Sequence, residues 1–486
     1  MNGEGKHTNR HFVQQHHLLW AIVAIFSLLL ASCGHSAAFT EAQRSHGTSP
    51  STTRVSDDWP TYLAGNERSG FNQNETILNQ ATIPHLKLHW TAQAKDRIFS
   101  QPVVANGMIY WGSGDGFEHA TDLHGKQVWA VNLGASRQIC NTRNNGVLNT
   151  ATVVSIVLGG KQTPVVFVGG GRGRFYALNA ATGTTIWSTF LGSPPNHYLW
   201  SSSLVYKGSV YEGVSSIADC PLVQGKLVQM DIRTGKITHT FKTVPNGCVG
   251  ASIWGSPTVD AAADAIYFAT GNGGKCSKPE PYGVALVKLR ASNLSFLDAW
   301  QVPRGKQIGD SDFGSTPTLF DAAIRGVTKQ LVGIVNKNSD YYAFDRTAIG
   351  RGPVWKVRLA CHSCDYPTET IAPSAWDGTH LYVASQGTTI SGVSCPGSVR
   401  ALDPAAGTSI WKQCLQEGEV YGAVTLLPGV IVVSEGPCFV AIATTTGHVL
   451  FKYTSRGNEQ FLAPASVSNG VLYIGSYTGV LYAFGL

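Results

Sequence analysis

From Phe99 to the C-terminus, short runs in which apolar and polar residues alternate are separated by Gly, Pro, Asn and Asp. A period of two predicts half-buried strands joined by tight turns. The stretch ASIWGSPTVDAAADAIYFATGN, residues 251–272, shows one unit. It reads as a loop ending in Trp254-Gly255, a strand over Ser256 to Val259, an Ala/Asp turn, a strand over Ala265 to Thr270, and the exposed loop Gly271-Asn272-Gly273-Gly274. Eight first strands share this theme: SQPVVANG at Ser100, NTATVVS at Asn149, SSSLVYKG at Ser201, GSPTVDA at Gly255, GSTPTLFD at Gly314, APSAWDG at Ala372, GAVTLLPG at Gly422 and APASVSNG at Ala463. Most are followed by a strand like MIYWGS or VLYIGS, then by one like FYALNA or YYAFDR. Several units close with Gly-x-x-x-Trp, as in Gly125/Trp129, Gly183/Trp187 and Gly407/Trp411, with Gly447/Phe451 as a variant.

A unit that cannot bury its own apolar faces must stack against copies of itself. Eight units of four antiparallel strands predict an all-β, eight-bladed β-propeller. The last unit stops after LYAFGL and lacks its fourth strand. The orphan strand Leu86 to Ala92 (LKLHWTA) is predicted to supply it, which closes the ring and removes free edges. The recurring Trp129, Trp187, Trp300, Trp355 and Trp411 read as packing residues between blades.

Composition changes this picture little within the repeats. The 486 residues include 54 Gly and 22 Pro, with 14% charged, which suits one large turn-rich β domain. The formal net charge of +6 is not gathered into a Lys/Arg block, so no nucleic-acid partner is expected. The N-terminus differs in kind. Met1 to Trp20 is polar, and the apolar run Ala21 to Ala31 is short for a transmembrane helix but suits a signal-peptide core. Leu30-Ala31-Ser32-Cys33 resembles a bacterial lipoprotein cleavage box, which implies a lipidated Cys33 and attachment to a membrane. An ordinary secretory signal or a short membrane anchor are the alternatives, and each places the domain outside the cytoplasm. The expected organisation is a leader over 1–33, a flexible tether over 34–57 and the propeller over 58–486.

Ten cysteines less Cys33 leave nine, most of them expected to pair in an oxidising compartment. Cys361 and Cys364 form a CxxC that is followed by Asp365, so it does not match a c-type haem site and is expected to be a structural disulfide.

In a blade with strands A to D, the B–C loop and the loop from D to the next A open on one face. Asp219, Asn272 and Lys337 fall in B–C loops, and Arg143, Trp254, Asp310 and Asp312 fall in D–A loops. Carboxylates, an amide, a cation and an aromatic ring are therefore expected at one mouth of the ring, where long loops on a rigid scaffold usually carry function. The nine cysteines are assigned to the same loops, as braces.

The segment WPTYLAGNERSGFN from Trp59 resembles the opening of quinoprotein-type propellers. Over 58–486 the repeat and its loops resemble the quinoprotein alcohol dehydrogenases, most of all the polyvinyl-alcohol-dehydrogenase type. The resemblance implies pyrroloquinoline quinone (PQQ) stacked on Trp254 of Trp254-Gly255. It implies calcium held by Asn272 of Thr270-Gly271-Asn272, by Asp312, and by Asp219 of Ser216-Ile217-Ala218-Asp219, with Ser216 beside the cofactor. Asp219 stands where Glu is usual, one methylene shorter. Asp312 is implied as general base with Asp310 as its supporting acid. Lys337, ahead of YYAFDR, is implied at the quinone oxygens, and Arg143 at a PQQ carboxylate. The family's adjacent cysteine pair and haem-binding extension are not seen, so no haem is expected and electrons would leave through a separate acceptor.

Such a set is chemically coherent. A hard cation polarises the quinone carbonyl, a carboxylate takes the alcohol proton and a lysine stabilises the reduced quinone. The function implied is extracytoplasmic, PQQ- and calcium-dependent oxidation of an alcohol or of a polyol or polymer hydroxyl. The alternatives are a non-enzymatic propeller lipoprotein that acts as an assembly scaffold, and a carbohydrate- or polymer-binding propeller.

Overall fold

Eight antiparallel sheets form, one from each predicted repeat, in a computed structural model that describes residues 57–138, 141–274, 276–307, 309–360 and 369–486. The leader, the lipidation residue Cys33, the tether through residue 56 and the Cys361/Cys364 pair lie outside the described residues. Among the described residues no helix is long and apolar enough to cross a membrane.

The A strands of neighbouring blades touch one another and therefore line the axis. The strand after each of them is buried on both faces, as in Ala265–Ala269 of blade 4, because blades stack face to face. Outer strands are largely exposed, as in Ile237–Lys242 of blade 3. Lys87–Gln93 pairs antiparallel with Val480–Gly485, so the ring closes with strands from both ends of the chain. Two features were not predicted. A two-stranded hairpin, Ser136–Gln138 with Asn141–Asn145, sits between blades 1 and 2, and a short strand, His197–Tyr198, adds a fifth strand to blade 3.

The Gly-x-x-x-Trp motif has a physical explanation. Indole N–H groups of Trp90, Trp129, Trp187, Trp355 and Trp411 each donate to a carbonyl in the C–D turn of the next blade, at 2.7–3.0 Å. The turn glycine makes room for that ring. A Cβ on Gly183 would lie 2.8 Å from Trp129, and one on Gly447 would lie 2.6 Å from Trp411. Both glycines also sit at positive φ, 71° and 75°, where a side chain is strained.

The segment from Trp59 to Asn72 runs around the axis and bonds to the inner strands. Its backbone or side chains reach Val104 of blade 1, Val153 of blade 2, Val205 of blade 3 and Val259 of blade 4. It continues to Trp376 of blade 6, Leu426 of blade 7 and Val467 of blade 8. Asp57, just ahead of it, accepts from the Asn469 amide at 2.6 Å.

Cys248–Cys276 joins the D–A loop after blade 3 to the B–C loop of blade 4, as braces of this face were expected to do. Cys395–Cys414 instead links two strands of blade 6, Val393–Leu402 and Ser409–Leu415, and Cys438 is a buried free thiol within a strand of blade 7. The loop assignment fails here because the B and C strands of blade 6 are ten residues each and carry the hairpin out into what the repeat reads as loop.

Glu118 is fully buried and neither carboxyl oxygen has a hydrogen-bond partner, so burial holds its pKa well above the ordinary value. The stabilising effect of a raised folded pKa is complete below the unfolded value and is lost as pH rises through the folded one. Glu118→Gln removes that titration. In urea unfolding the wild type is expected to lose stability as pH rises from the ordinary Glu value toward the raised one, and the variant to lose less over that range.

Candidate functional site

The loops that carry the candidate residues are laced together by backbone bonds before any side chain is considered. Ala251 N donates to Asn272 O at 2.6 Å and Gly271 N to Ser252 O at 2.7 Å. Phe313 N donates to Thr270 O at 3.3 Å, Lys337 N to Asp312 O at 3.0 Å, and the buried Asn336 side chain to Ser311 O at 2.7 Å. The disulfide Cys248–Cys276 ties the first two of these loops again.

These side chains meet. The Trp254 indole N–H donates to Asp312 Oδ2 at 3.0 Å. Its six-membered ring lies against the backbone at Gly314, where a Cβ would come within 2.0 Å of Cη2. Lys337 Nζ donates to Asp310 Oδ2 at 2.7 Å, pairs with Asp312 Oδ1 at 2.9 Å, and stands 5.1 Å from the Trp254 ring centroid. Asn272 Nδ2 bridges Asp219 Oδ2 at 3.0 Å and Asp310 Oδ1 at 2.6 Å. Ser216 and Ser252 hydroxyls lie 3.3 Å apart on the same wall. Trp200, Ser216, Asp219, Trp254, Asp310, Asp312 and Lys337 line a cavity of ≈ 320 Å³ that opens on the loop face. A second cavity of ≈ 270 Å³ lies in the channel, shares Trp200 and Trp254 with the first, and also has Tyr62 in its lining.

The electrostatics separate the two aspartates. Asp312 is buried, and burial pushes its carboxyl up to about 6 against the opposing pull of the Lys337 ammonium. Burial would raise Asp310 too, but hydrogen bonds from Lys337 and Asn272 bring it below the ordinary carboxylate value. Lys337 is held above its usual value because Asp312 and Asp310 outweigh the effect of its own burial. One carboxyl is thus poised to exchange a proton near neutrality while its neighbour stays ionised.

The expected set is not gathered in full. Arg143 lines neither cavity. The hairpin between blades 1 and 2 carries its guanidinium to 5.1 Å from the Tyr477 ring on blade 8. Asn272 is bonded to Asp219 and Asp310, whereas Asp312 is turned toward Trp254 and Lys337, so the carboxylate nearest the amide is Asp310. Among the described residues no three His, Cys, Asp or Glu side chains are grouped as metal ligands. Sequence reasoning missed Trp200. The available signal was a tryptophan in a D–A loop, out of register with the repeat.

The sequence profile of a PQQ-repeat family described as outer membrane protein assembly factor BamB matches residues 119–283 and 396–485. The chain belongs to this PQQ-repeat propeller family. It is 25% identical over 377 residues to the quinohemoprotein alcohol dehydrogenase of Comamonas testosteroni, covering 66% of this chain and 51% of that protein. It is also 24% identical over 470 residues to a polyvinylalcohol dehydrogenase of a Pseudomonas species, covering 86% and 70%. The PQQ-repeat chain therefore spans about half the length of the first relative (51%) and more of the second (70%). Among solved structures, the Comamonas testosteroni enzyme superposes with a TM-score of 0.71 at 18% identity, covering 88% of this chain and 80% of that one. BamB of Moraxella catarrhalis superposes with 0.51 at 15% identity, covering 82% and 98%. Both likenesses are of fold.

Proposed function

We propose that this PQQ-repeat propeller is a quinone-dependent dehydrogenase that oxidises an alcohol hydroxyl, free or on a polyol or polymer. The carrying observation is that Trp254, Asp312, Asp310, Lys337, Asn272 and Asp219, drawn from three successive blades, line or border one cavity. The names of the relatives, alcohol and polyvinylalcohol dehydrogenases, support it.

The residues suit a flat, carboxylated quinone. Trp254 offers it an aromatic surface whose N–H is already engaged by Asp312, and Lys337 offers a buried positive charge beside that ring. Asp219, Asn272 and Asp310 are oxygen-bearing side chains that would hold a hard cation such as calcium. PQQ, when bound, supplies the two-electron acceptor. Asp312 accepts the proton of the substrate hydroxyl, and its raised pKa matches that task near neutral pH. Lys337 keeps Asp312 ionised and holds it in place from 2.9 Å. Electrons would pass to a separate acceptor, and the leader would deliver the domain outside the cytoplasm.

The family description favours a second reading, a scaffold that binds no quinone. Purified protein with added PQQ and calcium separates the two. The dehydrogenase shows a rise in melting temperature and reduces a dye with a primary or secondary alcohol; no uptake of PQQ leaves the scaffold. Trp254→Leu is expected to weaken PQQ binding about tenfold by equilibrium dialysis, the order of one aromatic stacking contact. The variant also gives up the bond to Asp312 and the contact at Gly314, so its melting temperature without PQQ is expected to fall modestly, and affinity is read on the folded variant.

A further inference from the structure

We infer that Trp200 is a second aromatic plate for the flat cofactor, beside Trp254; the inference rests on the quinone reading and extends it to a residue outside the set implied by resemblance. Tryptophans that pack blades in this fold share one signature, an outer-strand position against the next blade, where Trp129, Trp187, Trp355 and Trp411 bond its C–D turn and Trp300 packs on Tyr342 and Phe344. Trp200 does not have it. It lies in the D–A loop between blades 2 and 3 and faces both the loop-face cavity and the channel cavity, as does Trp254.

Its position is built rather than incidental. Among the described residues blade 3 alone has a fifth strand, His197–Tyr198, and that strand pairs with Ser216 and Ser215 at the edge of the cavity. The fifth strand delivers Trp200 two residues after Tyr198. Tyr198 is fully buried, donates its hydroxyl to Gly146 O at 2.5 Å, and meets the Trp200 ring edge-on at 4.8 Å and 65°. The Trp200 N–H donates to Ile217 O at 3.1 Å, in the loop that leads to Asp219.

The ligand class follows from what the two indoles have left to offer. An indole has one donor, and in both residues it is engaged within the protein, by Ile217 O in Trp200 and by Asp312 in Trp254. What remains toward the cavity is π surface, which favours a planar conjugated ring system over an aliphatic or strongly hydrated ligand.

The test labels the protein with 5-fluorotryptophan, assigns the Trp200 and Trp254 fluorine resonances by their loss in W200F and W254F, and titrates PQQ with calcium present. Both resonances are expected to shift in parallel with uptake. In equilibrium dialysis W200F should retain affinity within about threefold and W200L should lose about tenfold, each read on protein whose circular dichroism matches the wild type, since both variants give up the bond to Ile217 O. The fluorine readout needs no truncated variant, so poor folding of W200L does not decide the matter. Uptake of PQQ with an unmoved Trp200 resonance would overturn this inference and leave the quinone reading intact. Failure of the wild type to take up PQQ overturns both.

Discussion

Asp312→Asn is expected to retain PQQ and to lose turnover, with kcat down by roughly 10²–10⁴-fold, the usual contribution of a positioned general base. Asparagine keeps the size of the side chain and an oxygen for the Trp254 N–H, 3.0 Å away in the wild type, so the cavity wall stays in place. What it removes is the capacity to accept a proton. Asp310→Asn is the informative companion. Asp310 is bonded to Lys337 and Asn272, so its loss should weaken metal and cofactor retention and move kcat less once the site is saturated. Rates with saturating PQQ and calcium, beside dialysis affinities, separate the two. Near wild-type turnover in Asp312→Asn would remove Asp312 from the base role.

Much of the fold was readable because the relevant signals are local. Strand periodicity, the Gly-x-x-x-Trp spacing and the missing last strand each express contacts within one blade or with the next, so a repeated pattern carries them. The ring closure by Lys87–Gln93 follows from counting strands. The site was readable to the extent that loop class follows strand direction, which is why Asp219, Asn272, Asp310, Asp312, Trp254 and Lys337 come together. Finer choices depend on side-chain rotamers and on irregular loops. Nothing in Gly309-Asp310-Ser311-Asp312 says which carboxylate turns to Trp254 and which to Asn272. Arg143 is drawn away by a hairpin inside a D–A loop, and Trp200 is brought in by a fifth strand. Neither element has a counterpart in the repeat from which a rule could be read. The blade 6 disulfide escaped for a related reason: its strands outrun the repeat length that the loop assignment assumed.

Arg68 is the residue whose role is least visible in the sequence, and Arg68→Met is expected to destabilise the propeller by about 3–5 kcal/mol. In the chain it sits in a polar stretch, Asn66-Glu67-Arg68-Ser69, that reads as a solvated loop. In the fold it is fully buried at the axis, its backbone at a φ of 54° that a long side chain rarely adopts. Its guanidinium donates to Pro257 O at 3.0 Å, Ser203 O at 3.0 Å, Tyr62 O at 2.6 Å and Thr61 Oγ1 at 3.1 Å. One side chain thus joins the opening segment to the inner ends of blades 3 and 4. Burial lowers its pKa to about 10, so it remains charged at neutral pH. Methionine fills much of the space but leaves Pro257 O and Tyr62 O without this donor, each at a cost of about 1–3 kcal/mol before relaxation, while Ser203 O keeps the Thr152 hydroxyl. Arg68→Lys should recover part of the loss, since an ammonium keeps the charge but cannot match the fork. Urea unfolding followed by tryptophan fluorescence measures both variants. A methionine variant within about 1 kcal/mol of the wild type would mean that water reaches these carbonyls and that the opening segment is not the clasp described here.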